Sequence, residues 1–411
     1  MSRLLGNRPA FVLLPVLAVT YNAILAILGT FGIPLSFAIA ALCEILILAL
    51  TLVLVTNTGF RQSDKPFLLC MTAFVLLTVY LNLVNGTLLI TSFRNFLIIF
   101  TFAMLGLRLS FVELNRIFII CTVIVLTFLI IEIADLSLYV IIFEPANYFA
   151  QTRGNEIAEF NEVGVFGNAL SFESRFSYGL FDGPRTSSIF LEQVSLANFA
   201  TMICLYLLAF NRAINKPQKF LMMLTVFLIV TSSNARTTSI LTIVLFLGYF
   251  IFPLLPRFFN AFVAILVFCA ALIVYMFNPY AKGDDLKGRI RLSMDHFFEL
   301  GFGDYIGLGA NNLDHLWDAG YAYMIAANSI LGAAILCYLV LFTLQQRYRF
   351  SKRLAYGVTL YVFVNMLIGG NTVYSMKVAT LQWILVGFVI AYEKSYLTTI
   401  EKNNFDRDAT A

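Results

Sequence analysis

Apolar blocks of near-constant length recur along the chain, at about residues 10–29, 33–55, 66–83, 88–107, 117–137, 191–210, 219–233, 237–255, 259–277, 320–345, 355–371 and 378–392. Roughly 20 predominantly apolar residues carry a helix across the hydrocarbon of a bilayer. In lipid every backbone N–H and C=O must be satisfied within the protein, which leaves only helices or a closed barrel. These blocks are continuous and do not alternate, so they read as helices and not as barrel strands. Only 12% of the 411 residues are charged and 60% are hydrophobic, whereas an average soluble domain carries about 25% charged residues. A soluble fold is excluded. The expected fold is all-α, a polytopic helical integral membrane protein of about 12 transmembrane helices. The seventh block is short, and Thr91, Ser92 and Arg94 interrupt the fourth.

Charge sets the expected orientation. With the N-terminus in the cytoplasm, most of the 27 Lys and Arg fall on the inner side. The ten that do not are Arg94, Arg153, Arg175, Arg185, Arg236, Lys282, Lys287, Arg289, Arg291 and Lys377. Seven of these sit in two long loops, which the positive-inside rule governs poorly. Both termini are therefore expected inside. Arg3 and Arg8 precede the run from Phe11 to Leu28, which is longer than a signal-peptide core and reads as a first membrane helix that stays. The chain divides into N-terminal membrane helices (1–137), outer loop 1 (138–190), central membrane helices (191–277), outer loop 2 (278–319) and C-terminal membrane helices with a cytoplasmic tail (320–411). The two outer loops exceed the usual length of structureless connections and carry aromatic and aliphatic residues able to pack. They are expected to form a partly helical cap. No internal repeat is visible, which weighs against a transporter built from duplicated halves.

All six cysteines lie inside apolar blocks, so no disulfide framework is implied. His296 and His315 lack the spacing of a metal pair. No metal, no cofactor and no nucleic-acid partner is expected.

Several polar constellations interrupt this background. In "TSSNARTTSI", Arg236 stands at the outer end of a turn between two apolar blocks, at the expected start of a helix, with hydroxyl side chains on both sides. A guanidinium beside exposed helix amides favours a phosphate group; simple interfacial anchoring is the alternative. Arg94, in "TSFRNF", is placed similarly. The stretch "FDGPRTSSIFLEQVSLANF" offers Arg185 after a Gly-Pro turn, then the hydroxyls of Thr186, Ser187 and Ser188, which suit helix capping. Glu192 follows, one turn into the sixth block, where an acid calls for a partner. The second outer loop holds the basic residues Lys287, Arg289 and Arg291, a "GLGANN" turn, and His315, Trp317, Asp318 and Tyr321. An aromatic platform beside carboxylates suits a sugar, and an interfacial aromatic belt suits the same residues. Glu44, and Glu132 with Asp135, mark a pathway or a buried pair within the membrane.

About twelve helices, an enlarged outer loop before a helix, an arginine opening a later outer helix end, and a second outer loop leading through "DAGYAYMIAANSILG" together resemble the O-antigen ligase and Wzy-type polysaccharide polymerase superfamily. The resemblance covers Phe181 to Gly332, and "GPRTSSIFLEQVSLANF" is most similar to the exopolysaccharide polymerase branch. It implies a GT-C-like glycosyltransferase using undecaprenyl-pyrophosphate-linked oligosaccharide at the outer face of the bacterial inner membrane, with a chain-length regulator and a flippase as partners. Arg185, Glu192 and Arg236 then correspond to motif positions. Ligases tend to carry a His-Asn pair where this chain has Asp318 and Ala319, and His315 lies three positions upstream of that place. This departure favours a polymerase over a ligase. On this reading Arg236 and Arg185 stabilise the pyrophosphate leaving group. Asp318, Glu192 or His315 takes the acceptor proton, and Arg94, Lys287, Arg289, Arg291, Trp317 and Tyr321 bind substrate. A flippase or other transporter is the competing class.

Overall fold

A computed structural model describes residues 8–408 apart from 155–156, 158–160, 171–175, 182, 282, 284, 311–312, 317 and 369–372. Side chains are described as far as Tyr396, Asp314 excepted. Arg3, Arg175 and Lys282 of the charge pattern, Asn311 and Asn312 of the "GLGANN" turn, and Trp317 therefore lie outside the described residues. Among the described residues the chain is all-helical, with no strand.

The N-terminal helices are α1 (Pro9–Thr30), α2 (Phe37–Asn57), α3 (Lys65–Asn85), α4 (Ile90–Gly106) and α5 (Phe111–Ala134). The first long connection carries α6 (Leu136–Phe143) and α7 (Pro145–Arg153). Next come α8 (Gln193–Phe210), α9 (Lys216–Ser232), α10 (Arg236–Ile251) and α11 (Phe259–Phe277). The second long connection carries α12 (Leu286–Phe298) and α13 (Phe302–Ile306), and α14 (Gly320–Leu341), α15 (Arg349–Ile368) and α16 (Met376–Asp408) complete the chain. Nine helices among the described residues are long and apolar enough to cross a membrane. The shorter apolar α4, together with α9 and α15, occupies the other three expected positions.

Local signals place the helix ends. Ser36 accepts from the Ile39 amide and caps α2. Ser110 and Glu113 form a capping box that starts α5 at Phe111, ahead of the expected 117, because Glu113, Asn115 and Arg116 dilute the apolar run while belonging to the helix. For the same reason α15 begins at Arg349 rather than near 355, and α16 continues to Asp408 rather than stopping near 392.

Burial separates two classes of helix. In α8 and α16, 83% of the apolar window is buried inside the protein, whereas α11 buries 22% of its own and α2 28%. The side chains that α2 turns outward include Leu42, Ile45, Leu46, Leu50 and Val53. A continuous exposed apolar surface on this scale needs lipid around it, which fits a multi-pass membrane protein. The central helices approach one another at backbone contact. A Cβ added to Gly106 of α4 would collide with the Ile384 carbonyl oxygen of α16, and one on Gly387 with the Ala103 carbonyl oxygen.

Ion pairs fasten the ends of the helices opposite the two long connections. Arg108 makes two bonds of 2.8 Å to the carboxylate of Asp64, and both side chains are fully buried. Arg8 pairs with Glu113 at 3.0 Å.

The long connections fold against the bundle. Tyr139 and Phe143 of α6 are fully buried, and α6 lies against α1 and α5. A 3-10 turn at Ser188–Phe190 sinks between α5, α1 and α8. In the second connection α12 packs on α11, α14 and α15, and α13 packs on α14. Asn85 at the end of α3 donates to the Gly307 carbonyl just after α13.

Candidate functional site

A cavity of about 110 Å³ opens where α8, α10, α12 and α15 meet the first long connection. Three arginines that lie far apart in sequence line it: Arg185 from the connection, Arg236 from the first position of α10, and Arg289 from α12. Among the described residues that line it there is no Asp or Glu.

Each arginine is held by its own local structure. Asn234 adopts a left-handed backbone (φ 51°), which reverses the chain between α9 and α10 and lets Arg236 open the second helix. The guanidinium of Arg236 lies over the Phe176 ring, 5.1 Å from its centroid. Arg185 donates from Nη2 to the Phe176 carbonyl (3.3 Å) and from its amide to the Ala169 carbonyl (2.8 Å). Phe176 thus engages two of the three arginines. The Tyr178 amide then donates to Asn234 Oδ1 (2.9 Å), fastening residues 176–178 to the α9–α10 turn. Arg289 donates to the Ile368 carbonyl at the end of α15 (3.4 Å).

The hydroxyls around the arginines do different work from the capping expected of them. No side chain caps α10, and Ser232, Ser233 and Ser239 donate to carbonyls of their own helix or its N-cap residue. Ala235, Arg236, Thr237 and Thr238 line the cavity, so the positive end of the α10 dipole adds to the arginine charge there. Beyond Arg185, Thr186 bonds its hydroxyl to that of Ser232 (2.6 Å), and Ser187 and Ser188 run onto α5. Both of their amides donate to the Glu132 carboxyl group, at 2.6–3.0 Å, and the Ser187 hydroxyl donates to it at 3.2 Å. Glu132 is therefore the anchor of the segment that carries Arg185. Asp135 instead caps α6 through the Leu138 amide.

Glu192 departs from its expected position. It is the N-cap residue of α8, with an extended backbone, and does not lie one turn inside the helix. Its carboxylate pairs with Arg153 at 3.3 Å and Lys377 at 4.0 Å and accepts from the Ser195 hydroxyl at 3.1 Å. Burial acts to raise its pKa, but Arg153 and then Lys377 overcome that and hold the carboxyl down at about 2. A carboxylate so held is a poor base, and it does not line the arginine cavity.

The remaining candidates also lie outside the cavity lining. His315, in a 3-10 turn before α14, meets the His296 ring edge-on at 5.5 Å, and His296 pairs with Glu299 at 3.1 Å. Asp318 is exposed ahead of α14. Tyr321 is held in the packing between helices, its hydroxyl donating to the Phe363 carbonyl (2.9 Å) and its ring against Phe268. Lys287 is exposed on α12, while Arg291 pairs with Asp295 at 3.2 Å over the Tyr275 ring. Arg94 pairs with Glu44 of α2 at 3.0 Å, and Glu44 also accepts from the Tyr21 hydroxyl of α1. Glu44 therefore belongs to a half-buried ion pair.

Three polar lining residues were not singled out from the sequence: Gln193 and Asn198 on α8, and Asn365 on α15. Amides inside otherwise apolar helices were the available signal. No protein family, curated protein or solved structure matches this chain.

Proposed function

We propose that this protein is a Wzy-type polysaccharide polymerase that joins undecaprenyl-pyrophosphate-linked repeat units of an exopolysaccharide or O-antigen at the outer face of the bacterial inner membrane. On this reading the chain crosses the membrane twelve times with both termini in the cytoplasm, and the two long connections cap the outer face. The observation that carries the reading is the convergence of Arg185, Arg236 and Arg289 on one cavity at the N-terminus of α10. The resemblance between Phe181 and Gly332, which includes Arg185 and Arg236, points the same way.

In the reaction the glycosidic C–O bond to the donor pyrophosphate breaks and the electron pair leaves with the pyrophosphate. The acceptor hydroxyl oxygen forms the new bond and its proton passes to water, no Asp, Glu or His standing among the described residues that line the cavity. Negative charge therefore grows on the leaving group. Fixed guanidinium groups and a helix dipole meet that charge without reorganising, and they do so without calling on a metal. Arg236 and Arg185 are assigned to the leaving group, and Arg289 completes the anion site.

The test is reconstitution of purified protein with its authentic lipid-linked repeat unit in EDTA, with products resolved on a gel, for wild type and Arg236→Ala. Wild type yields a ladder, and the variant is slower by about 100-fold or more, the cost of losing one preorganised donor to a developing oxyanion. A single transferred product on another acceptor in place of a ladder would mean ligation. No product from folded protein with the authentic unit would overturn the reading and move transport to the front.

A further inference from the structure

The cavity lining also holds side chains of different chemistry. Besides the arginines, the first turns of α8 present Gln193, Val194, Ala197 and Asn198, and α15 presents Asn365. Gln193 is 92% buried, since 8% of its surface is exposed, and its Oε1 is a buried oxygen without a hydrogen-bond partner. A buried acceptor left unsatisfied is unfavourable, and a ligand donor that reaches it relieves the cost. Asn198 and Asn365 each donate one N–H to a carbonyl four residues back on their own helices, Val194 and Tyr361, each at 2.9 Å. Each of these amides keeps its oxygen and its second N–H to offer.

A cavity lined by both guanidinium groups and side-chain amides is chemically mixed. Arginines ask for an anion, while amide oxygens ask for neutral O–H or N–H donors. A bare diphosphate or an isoprenoid diphosphate carries no such donors. A sugar attached directly to a diphosphate carries hydroxyls within a few ångströms of the phosphate oxygens. We propose that Gln193, with Asn198 and Asn365, forms a sugar-hydroxyl subsite adjoining the arginines. The cavity then reads the first sugar of a glycosyl diphosphate as well as its diphosphate. This inference rests on the assignment of the arginines to the pyrophosphate, and it adds the residues that choose the sugar.

The logic of the amides is discrimination. A site built to receive a hydroxyl penalises a ligand that lacks one, because its acceptor stays buried and unpaired. Gln193 follows directly on Glu192, whose pairing with Arg153 and Lys377 holds the start of α8. The amide is therefore carried on a rigid helix end.

The experiment compares binding of farnesyl diphosphate with binding of farnesyl diphosphates bearing glucose, galactose or N-acetylglucosamine. Titrations use the full-length protein in detergent, for wild type, Gln193→Leu, Asn365→Ala and Arg236→Ala. Wild type is expected to bind at least one glycosylated probe about 10-fold or more tightly than bare farnesyl diphosphate. Gln193→Leu is expected to erase that preference while changing farnesyl diphosphate affinity by less than about 2-fold, and Asn365→Ala to reduce the preference in part. Arg236→Ala is expected to weaken all the probes together. Equal wild-type affinity for bare and glycosylated probes, with Arg236→Ala still weakening both, overturns the sugar subsite and leaves the pyrophosphate assignment standing. A Gln193→Leu variant with wild-type melting behaviour and an intact preference overturns it too. Binding of the probes that is indifferent to Arg236→Ala removes the pyrophosphate assignment and the subsite with it.

Discussion

Glu132 offers the sharpest perturbation because it touches no lining residue of the cavity and yet anchors one. Its carboxyl group receives the amides of Ser187 and Ser188 and the Ser187 hydroxyl, all buried. Glu132→Ala leaves two buried backbone donors without their acceptor. At about 1–3 kcal/mol each the cost is about 2–6 kcal/mol, with about 3 kcal/mol a reasonable centre after local relaxation. Because about 1.4 kcal/mol corresponds to tenfold, the ordered form of residues 185–188 loses up to about 100-fold in population, and apparent affinity for a ligand of Arg185 falls with it. Glu132→Gln retains one acceptor oxygen and should lose about 10-fold. The assay is calorimetric titration of farnesyl diphosphate in detergent, with circular dichroism confirming that helix content is kept. A double-mutant cycle supplies the decisive arm: in an Arg185→Ala background, adding Glu132→Ala should cost less than about 3-fold, since both changes remove the same guanidinium from the cavity. Independent, additive losses would refute the claim that Glu132 acts through Arg185. So would unchanged affinity in a folded Glu132→Ala protein.

Two predictions concern stability. Asp64→Ala strands the Arg108 guanidinium, which is fully buried and doubly bonded to that carboxylate; a loss of about 3–5 kcal/mol is expected, read as a lower melting temperature in detergent. Glu192 has a folded pKa of about 2 against an ordinary 4.5, so ionised Glu192 contributes up to about 3 kcal/mol above the ordinary value, and the contribution disappears as pH falls through the folded one. Glu192→Gln should accordingly be less stable than wild type at pH 7, with the gap narrowing between about pH 4.5 and 2. A gap that stays constant across that window would show that the ion pairs with Arg153 and Lys377 do not carry the effect.

How much of this was legible in the sequence differs from residue to residue. The helices of the bundle could be placed within a few residues because hydropathy is read locally, one side chain at a time. Errors fell at α5, α15 and α16, where charged residues belong to a helix whose apolar run starts late or ends early. Arg236 at the start of α10 was visible as a polar break between two apolar blocks. The reading of Glu192 as an acid one turn into the apolar block failed because α8 starts only at Gln193, which makes Glu192 an N-cap carboxylate held by Arg153 and Lys377.

Membrane class, helical content and the approximate start of each helix follow from short-range properties: hydropathy, proline and cap residues, and the demand that backbone groups in lipid bond within their own helix. The partners of charges follow from distances in space between residues far apart along the chain. Glu132 finds amides 55 and 56 residues away, and Lys377 reaches the Phe190 carbonyl 187 residues away. Nothing in the order of residues says that Arg289, rather than neighbouring Lys287 or Arg291, turns to the cavity that Arg185 and Arg236 line. That choice belongs to the rotation of α12 as it packs on α11, α14 and α15, a property of the packed bundle rather than of any segment within it.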